Sequence, residues 1–141
     1  MIYLDTSVLG ALFFREPGAA RLLDRLEPLR REGFVISAWT LTEMASVGGI
    51  KRRTGAIDEE ARQLAMANFQ RFVSAELRTV EVEPADFRTA AVFIDAPLVL
   101  RAADALRLAV AHRTGARLAS LDRRLNEAAA FHRIACEAVL A

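Results

Sequence analysis

Short apolar runs alternate along the chain with longer segments whose apolar residues recur at helical spacing. The first run, residues 2–4, ends at Asp5, and the apolar residues that follow repeat at the three- and four-residue intervals of an amphipathic helix. By the same pattern the chain contains five predicted strands, at residues 2–4, 34–36, 79–82, 117–121 and 133–135. Helices are predicted between and after them, beginning near Val8, Leu22, Thr40, Ile57, Pro84, Ala102 and Arg123.

This alternation indicates the fold class. Strands that are short apolar runs, each followed by helical segments, are typical of a parallel sheet covered on both faces. We therefore expect an α/β protein, a three-layer α/β/α sandwich with a central, mostly parallel sheet. The sequence contains no repeat, linker or low-complexity segment, and 141 residues suit one core. Residues 1–141 are predicted to form a single domain.

Apolar length and cysteine usage restrict the location of the protein. The longest apolar stretches, residues 8–14 and 97–111, are too short to span a bilayer or are interrupted by charges. No basic segment precedes the first apolar run, which argues against a signal peptide. We expect a cytoplasmic protein with no membrane association. The single Cys136 lies in an apolar segment and is expected in the core.

Net charge does not identify a partner. The formal charge of +1 is not the strongly basic balance typical of many nucleic-acid-binding proteins. However, 18 of the 19 basic residues are arginine, whose guanidinium group makes bidentate contacts with phosphate. Genomic base composition explains the same excess, so both interpretations stay open.

Four acidic residues occupy related positions in the predicted elements. Asp5 and Asp122 each follow an apolar strand and precede a helix, and Glu43 lies early in the helix after the second strand. In an open parallel sheet, ligands bind outside the carboxyl ends of the strands, where the strand order reverses. Asp104 is placed less directly, near the start of a helix. We therefore expect these carboxylates to converge.

Each acid also has an ordinary interpretation. Asp5 and Asp122 suit helix N-caps, Thr40 with Glu43 matches a capping box, and Asp104 suits the positive end of a helix dipole. Carboxylates gathered in one crevice would nevertheless repel one another unless a proton or a cation intervened.

Oxygen ligands without a histidine or cysteine cluster favour Mg²⁺ or Mn²⁺, which can activate water against a phosphodiester. The hydroxyls of Thr6 and Ser7 could support such a site, although Ser7 equally suits a helix cap.

Four segments resemble the successive motifs of PIN domains, in matching order and spacing over essentially the full chain. They are residues 2–9, 41–44, 100–106 and 118–125, which read IYLDTSVL, LTEM, LRAADAL and LASLDRRL. A free-standing domain of this length is similar to the VapC-type toxins of bacterial VapBC toxin-antitoxin pairs. The resemblance implies a Mg²⁺- or Mn²⁺-dependent endoribonuclease, acting as a homodimer with a cognate antitoxin that places a side chain, often an arginine, in the active site.

The resemblance also implies roles for individual residues. The catalytic acids would be Asp5, Glu43, Asp104 and Asp122. Asp5 and Asp104 would bind the metal directly, Glu43 would support the site or activate water, and Asp122 would help to hold a second metal or its waters. Thr6 or Ser7 would support the metal ligands. The arginines that flank the acids, Arg101, Arg123 and Arg124, would hold RNA phosphates or simply be solvated, and Arg107 is assigned no role.

Three other functions are compatible with parts of this pattern. A housekeeping RNA-processing nuclease would use the same chemistry without the toxin role. A phosphotransfer or phosphatase domain would use a nucleophilic Asp5, but the haloacid-dehalogenase pattern requires a second aspartate at position 7, which is Ser7 here. A catalytically inactive PIN-like interaction module is disfavoured because all four acids are present.

Overall fold

In the computed structural model, residues 1–139 are described, and they form a five-stranded sheet with helices on both faces. The strands are β1 (Ile2–Leu4), β2 (Phe34–Ser37), β3 (Leu77–Val80), β4 (Arg117–Ala119) and β5 (Cys136–Glu137). The helices are α1 (Thr6–Phe13), α2 (Ala19–Leu26), α3 (Ala38–Arg53), α4 (Glu59–Glu76), α5 (Pro84–Ile94), α6 (Ala102–Thr114) and α7 (Arg123–Phe131), with a 3₁₀ helix at Glu27–Glu32.

Alternate residues of the strands point into two separate cores. On β1, Ile2 and Leu4 are fully buried among apolar residues of α1 to α4, whereas Tyr3 is buried among residues of α5, α6 and α7. This period of two is the geometry of an extended strand buried on both faces. The predicted three-layer α/β/α sandwich is therefore confirmed.

The order of the strands reverses beside β1. The sheet runs β3-β2-β1-β4-β5, and every pair is parallel. The chain thus builds outward from β1 to β3, and then returns to add β4 on the opposite side of β1, with Leu4 beside Ala119. A crevice at the carboxyl ends of β1 and β4 is the switch point where such sheets bind ligands.

Two strands lie elsewhere than predicted. β3 begins at Leu77, directly after α4, rather than at Thr79, because Leu77 already packs into the core on the α1–α4 side. The last strand is Cys136–Glu137 rather than residues 133–135. The reason is that Arg133 has a φ of +60° and its N–H still bonds to Ala130 at the end of α7. Extended backbone cannot begin there.

Two further expectations were wrong. The apolar pattern that begins near Leu22 continues to Leu29 and favours one helix up to Gly33, but α2 ends at Leu26 and continues as a 3₁₀ helix, where Pro28 has no N–H to donate to an α-helical bond. Cys136 is exposed rather than in the core, because it lies on a two-residue strand at the edge of the sheet.

No helix within residues 1–139 is both long enough and apolar enough to span a membrane. The longest of them, α4, has charged and polar side chains along much of its length.

A buried ion pair joins α5 to α6. Asp86 is 1% exposed, and it accepts hydrogen bonds from Arg113 Nε at 2.8 Å, from Arg113 Nη2 at 3.0 Å and from the Glu83 N–H at 2.8 Å. Burial raises the pKa of the Asp86 carboxyl, but the hydrogen bonds from Arg113 and Glu83 outweigh burial and hold that pKa below its ordinary value. The pair therefore stabilises the folded state when Asp86 is ionised.

We predict that Asp86→Asn lowers the free energy of unfolding by about 2 kcal/mol at pH 7, because one amide N–H would face the guanidinium of Arg113. Since the pKa of Asp86 is lowered by folding, the difference between wild type and variant should shrink as the pH falls below about 4. Urea unfolding at pH 7 and at pH 3 measures both effects. The control Asp95→Asn, at an exposed position just after α5, should change stability by less than about 0.5 kcal/mol. A D86N loss that is constant with pH would contradict this account.

Candidate active site

Asp5 lies where β1 ends and α1 begins, and it is 1% exposed. It is the N-cap of α1, since its Oδ2 accepts a hydrogen bond from the Ser7 N–H at 3.4 Å. The capping interpretation is therefore correct, but it engages only one of the two carboxylate oxygens.

Two serine hydroxyls bind the same oxygen of Asp5. Ser7 Oγ donates to Asp5 Oδ2 over 2.6 Å, and Ser120 Oγ, directly after β4, donates to it over 2.8 Å. Each hydroxyl in turn accepts a backbone N–H at 3.0 Å, that of Leu121 for Ser7 and that of Asp122 for Ser120. The hydroxyl protons are thus committed to Asp5, and the carboxylate is fixed across the switch point between β1 and β4.

The other oxygen of Asp5 has no hydrogen bond. Asp5 Oδ1 is buried, and within residues 1–139 no donor is close enough and correctly oriented to bind it. It forms an ion pair with Arg107, whose Nε is 3.5 Å away. A buried carboxylate oxygen in this state costs free energy. Such an oxygen indicates a ligand position.

Glu43 reaches the same crevice from α3. The helix begins at Ala38, immediately after β2, and its capping box joins Ser37 to Thr40. The capping box predicted between Thr40 and Glu43 was therefore wrong, because the helix begins one turn earlier, directly after the strand. Glu43 is instead 9% exposed and free to face the crevice, where its Oε1 accepts the Thr6 hydroxyl over 3.1 Å.

Asp104 and Arg107 enter from α6. Asp104 is in the first turn of α6, and Arg107 follows one turn later on the same face. Arg107 Nη1 donates to Asp104 Oδ1 over 2.7 Å, while its Nε donates to Glu43 Oε1 over 2.9 Å and its Nη2 to Glu43 Oε2. With Asp5 Oδ1 3.5 Å from Nε, one guanidinium contacts three carboxylates.

Sequence reasoning missed this part played by Arg107. Burial lowers the pKa of the Arg107 guanidinium, but the hydrogen bonds to Glu43 and the charges of Asp5, Glu43 and Asp104 outweigh burial and raise that pKa. The side chain is therefore a permanent cation, only 14% exposed, among the acids. The available signal was the i, i+3 spacing after Asp104, which places an acid and a base on one helix face.

Asp122 does not bring its carboxylate to Arg107. Its Oδ1 caps α7 by accepting the N–H groups of Arg124 at 2.9 Å and Leu125 at 3.3 Å. The link of Asp122 to the crevice is its own N–H, which donates to Ser120 Oγ. The structure thus brings together the carboxylates of Asp5, Glu43 and Asp104. Asp122 is linked to this group through Ser120, which binds both the Asp122 N–H and the Asp5 carboxylate.

The remaining predicted residues lie on two sides of the crevice. Thr6 and Ser7 both donate to acids, Thr6 to Glu43 and Ser7 to Asp5. Arg101, Arg123 and Arg124 are exposed, Arg101 at the start of α6 and the other two at the start of α7.

The chemistry of these side chains suits a hard divalent cation. The donors are carboxylate oxygens, and among the described residues Asp5 Oδ1 has no hydrogen-bond partner. In the part of the chain that the structure describes, however, no three His, Cys, Asp or Glu side chains are arranged to hold a metal directly. With Arg107 bound to both Glu43 and Asp104, the acids pair with an internal cation instead.

A largely apolar groove of about 530 Å³ opens next to this crevice. Residues adjacent in sequence to Glu43 and Asp104 line it, together with α5. The lining residues are Ala38, Trp39, Thr42, Val82, Phe87, Ala90, Ala102, Ala103 and Leu106.

Comparison with solved structures supports the fold. The chain is similar to PAE2754 from Pyrobaculum aerophilum, with a TM-score of 0.65 and 23% identity over 90% of this chain and 78% of that chain. It is also similar to VapC20 from Mycobacterium tuberculosis, a sarcin-ricin loop cleaving toxin, with a TM-score of 0.69 and 18% identity over 91% of this chain and 95% of that chain.

Comparison of the sequence itself gives one match and one negative result. Among curated proteins, none matches the chain. The family model of the PIN domain matches residues 2–131, which include all four predicted acids and both sides of the switch point. This match covers nearly the whole chain, and the parallel sheet agrees with it. The chain therefore belongs to the PIN domain family.

Proposed function

We propose that this protein is a Mg²⁺- or Mn²⁺-dependent endoribonuclease, acting in the cytoplasm as the toxin of a type II toxin-antitoxin pair, with residues 1–141 as one nuclease domain. The observation that carries the proposal is the state of Asp5. Its Oδ2 is fixed by Ser7 and Ser120, while its buried Oδ1 accepts no hydrogen bond from residues 1–139 and lies in the crevice with Glu43 and Asp104. Membership of the PIN domain family supports the nuclease class.

Each side chain then has a defined task. Asp5 and Asp104 would hold the metal, which supplies a water of lowered pKa and stabilises charge on the phosphate. Ser7 and Ser120 keep the Asp5 carboxylate from rotating, and Thr6 does the same for Glu43. Carboxylates fixed in this way raise metal affinity, because their side chains lose less freedom when the metal binds.

Glu43 and Asp122 act on water rather than as the principal ligands. Arg107 and Thr6 bind the oxygens of Glu43 in the crevice. Glu43 would accept the proton of the attacking water as that oxygen bonds to phosphorus, and the leaving oxygen would depart as an alkoxide that takes a proton from solvent. Asp122, at the start of α7, would orient waters or support a second metal. This division of roles is the one that the resemblance to PIN domains implies.

The RNA backbone would approach across exposed arginines. Arg101 at the start of α6 and Arg123 and Arg124 at the start of α7 lie next in the chain to elements that carry the acids. Guanidinium groups in this setting bind phosphate oxygens and position the strand without reading its sequence.

A second candidate with the same chemistry is a housekeeping RNA-processing nuclease. The similarity to VapC20, a toxin, favours the toxin role. Expression of the chain distinguishes them, because a toxin should arrest growth and the product of a neighbouring gene should relieve the arrest. A phosphotransfer role for Asp5 is not favoured, since Ser7 occupies the position of the second aspartate and binds Asp5 itself.

We predict that purified protein cleaves structured RNA with Mn²⁺ or Mg²⁺, and that EDTA or Asp5→Asn abolishes cleavage. Ser120→Ala should lower kcat by about 10- to 100-fold, because it removes a hydrogen bond that orients a metal ligand. Arg124→Gln should instead raise KM and leave kcat near wild type, because it removes a phosphate contact. Cleavage of a labelled RNA, followed over time, measures all of them.

A matched control for S120A is Ser74→Ala, since Ser74 is exposed on α4, far in sequence from the acids. It should cleave at the wild-type rate. Metal-independent cleavage, or an Asp5→Asn variant with full activity, would overturn the proposed function. Failure to cleave any RNA, together with no metal binding, would favour the inactive interaction module.

The proposed partners are a second copy of the chain and a cognate antitoxin. Phe87, Val92 and Val99 are 59%, 67% and 87% exposed, and they lie on or after α5, with Phe87 also lining the apolar groove. Exposed apolar surface of this kind marks protein interfaces. It supports a homodimer through the α5 face. The antitoxin is proposed from the likeness to VapC20 alone.

We predict that the purified chain is a dimer and that Phe87→Ser makes it a monomer, because the change removes apolar area from the proposed interface. Sedimentation equilibrium measures the mass of each. The control is Phe131→Ser, since Phe131 is 52% exposed at the end of α7 and should leave the dimer intact. A wild-type chain that is monomeric at every concentration, or an F87S variant that stays dimeric, would argue against this interface.

A further inference from the structure

Arg107 already supplies a positive charge where the proposed metal would bind. Its guanidinium donates to both oxygens of Glu43 and to Asp104, and it lies 3.5 Å from Asp5 Oδ1. These are the three acids that the crevice brings together, and no other side chain contacts all three in the described residues. The chain itself thus supplies one positive charge to these acids.

The charges of the group do not balance. Three carboxylates and one guanidinium leave a net charge of −2 in a crevice where the acids and Arg107 are mostly buried. One divalent cation would balance that charge, but a cation that bound Asp104 through Oδ1 would compete for that oxygen with Arg107 Nη1, which donates to it at 2.7 Å. It would also lie within a few ångströms of the guanidinium, and like charges at that separation repel.

We propose that Arg107 competes with the divalent metal for the acids. In the metal-free protein its guanidinium takes the place of the metal and stabilises the acids. It thereby raises the metal concentration needed to load the site. This inference rests on the metal site of the proposed function. It assigns Arg107 a positioning role that acts through Glu43 and Asp104, and it leaves the chemistry of cleavage to the acids.

The contacts predict two effects of opposite sign when the guanidinium is removed. In the metal-free protein, Arg107→Gln leaves three neighbouring carboxylates without their cation, so the melting temperature should fall. In the same variant, Mn²⁺ has no guanidinium to displace from the acids, so it should bind more tightly than it binds to wild type. A side chain that only supported the fold would lower the melting temperature without strengthening metal binding.

Isothermal titration of the full chain with MnCl₂, together with thermal unfolding in EDTA, tests the proposal. For Arg107→Gln we expect roughly tenfold tighter Mn²⁺ binding, the order of size of one displaced charge-assisted hydrogen bond, and a lower melting temperature without metal. Arg107→Lys keeps the charge but loses the planar fork, so its affinity should lie between those of wild type and R107Q. It also serves if R107Q does not fold without metal.

The matched control is Arg113→Gln, which breaks the ion pair with buried Asp86 on the same helix, outside the crevice. It should lower the melting temperature and leave the affinity for Mn²⁺ unchanged. Suppose that wild type binds Mn²⁺, that Asp5→Asn abolishes this binding, and that R107Q binds as tightly as wild type or more weakly. This result overturns the role of Arg107 but not the metal site. Absence of binding in both wild type and R107Q overturns the metal site itself, and the competition with it.

Discussion

The close approach of like charges at the carboxyl ends of β1 and β4 is the constraint on which the rest of the site depends. Asp5, Glu43 and Asp104 come from three different helices or helix starts, yet a single guanidinium contacts all of them. Buried carboxylates that are close enough to share one guanidinium destabilise a fold unless a cation balances them. The crevice is therefore a place where the protein needs a positive charge, and Arg107 provides one of its own.

The surrounding structure holds the acids where they repel. The reversal of strand order beside β1 puts the ends of β1 and β4 side by side, so that Ser120 after β4 can bind the Asp5 carboxylate after β1. The register of Leu4 with Ala119 sets that approach. Both serine hydroxyls are themselves fixed by backbone N–H groups. The sheet topology thus determines which oxygen of Asp5 is hydrogen-bonded and which one has no partner among the described residues.

Much of this arrangement was predictable from the sequence, because apolar periodicity determines which segments are strands and which are helices. The convergence of Asp5 with Glu43 followed from the common edge of parallel strands. The convergence of Asp104 was less direct, since α5 rather than a strand precedes α6. The edge strand β5 was harder to predict, because two residues are too few to show a periodicity. The turn before it determines where strand pairing begins.

Contacts between side chains were not predictable in the same way. The spacing of Arg107 after Asp104 signalled that one pair, but spacing along a helix or strand does not encode the contacts of Arg107 with Glu43 and Asp5, or of Ser120 with Asp5, across the crevice. Asp122 was expected to join the acids directly, but its carboxylate caps α7 and its connection to Asp5 runs through its N–H and Ser120. Asp122 thus contributes a helix cap through its carboxylate and a hydrogen-bonded link to Asp5 through its N–H.

The central claim is that the free oxygen of Asp5 is a metal ligand position. The most direct test is a crystal structure from crystals soaked in MnCl₂, with manganese located by its anomalous scattering. The account predicts a manganese peak roughly 2 Å from Asp5 Oδ1, as for a hard divalent cation on oxygen, with Arg107 withdrawn from Asp104. Manganese bound only elsewhere, with Asp5 Oδ1 still without a ligand and Arg107 still bonded to Asp104, would contradict it.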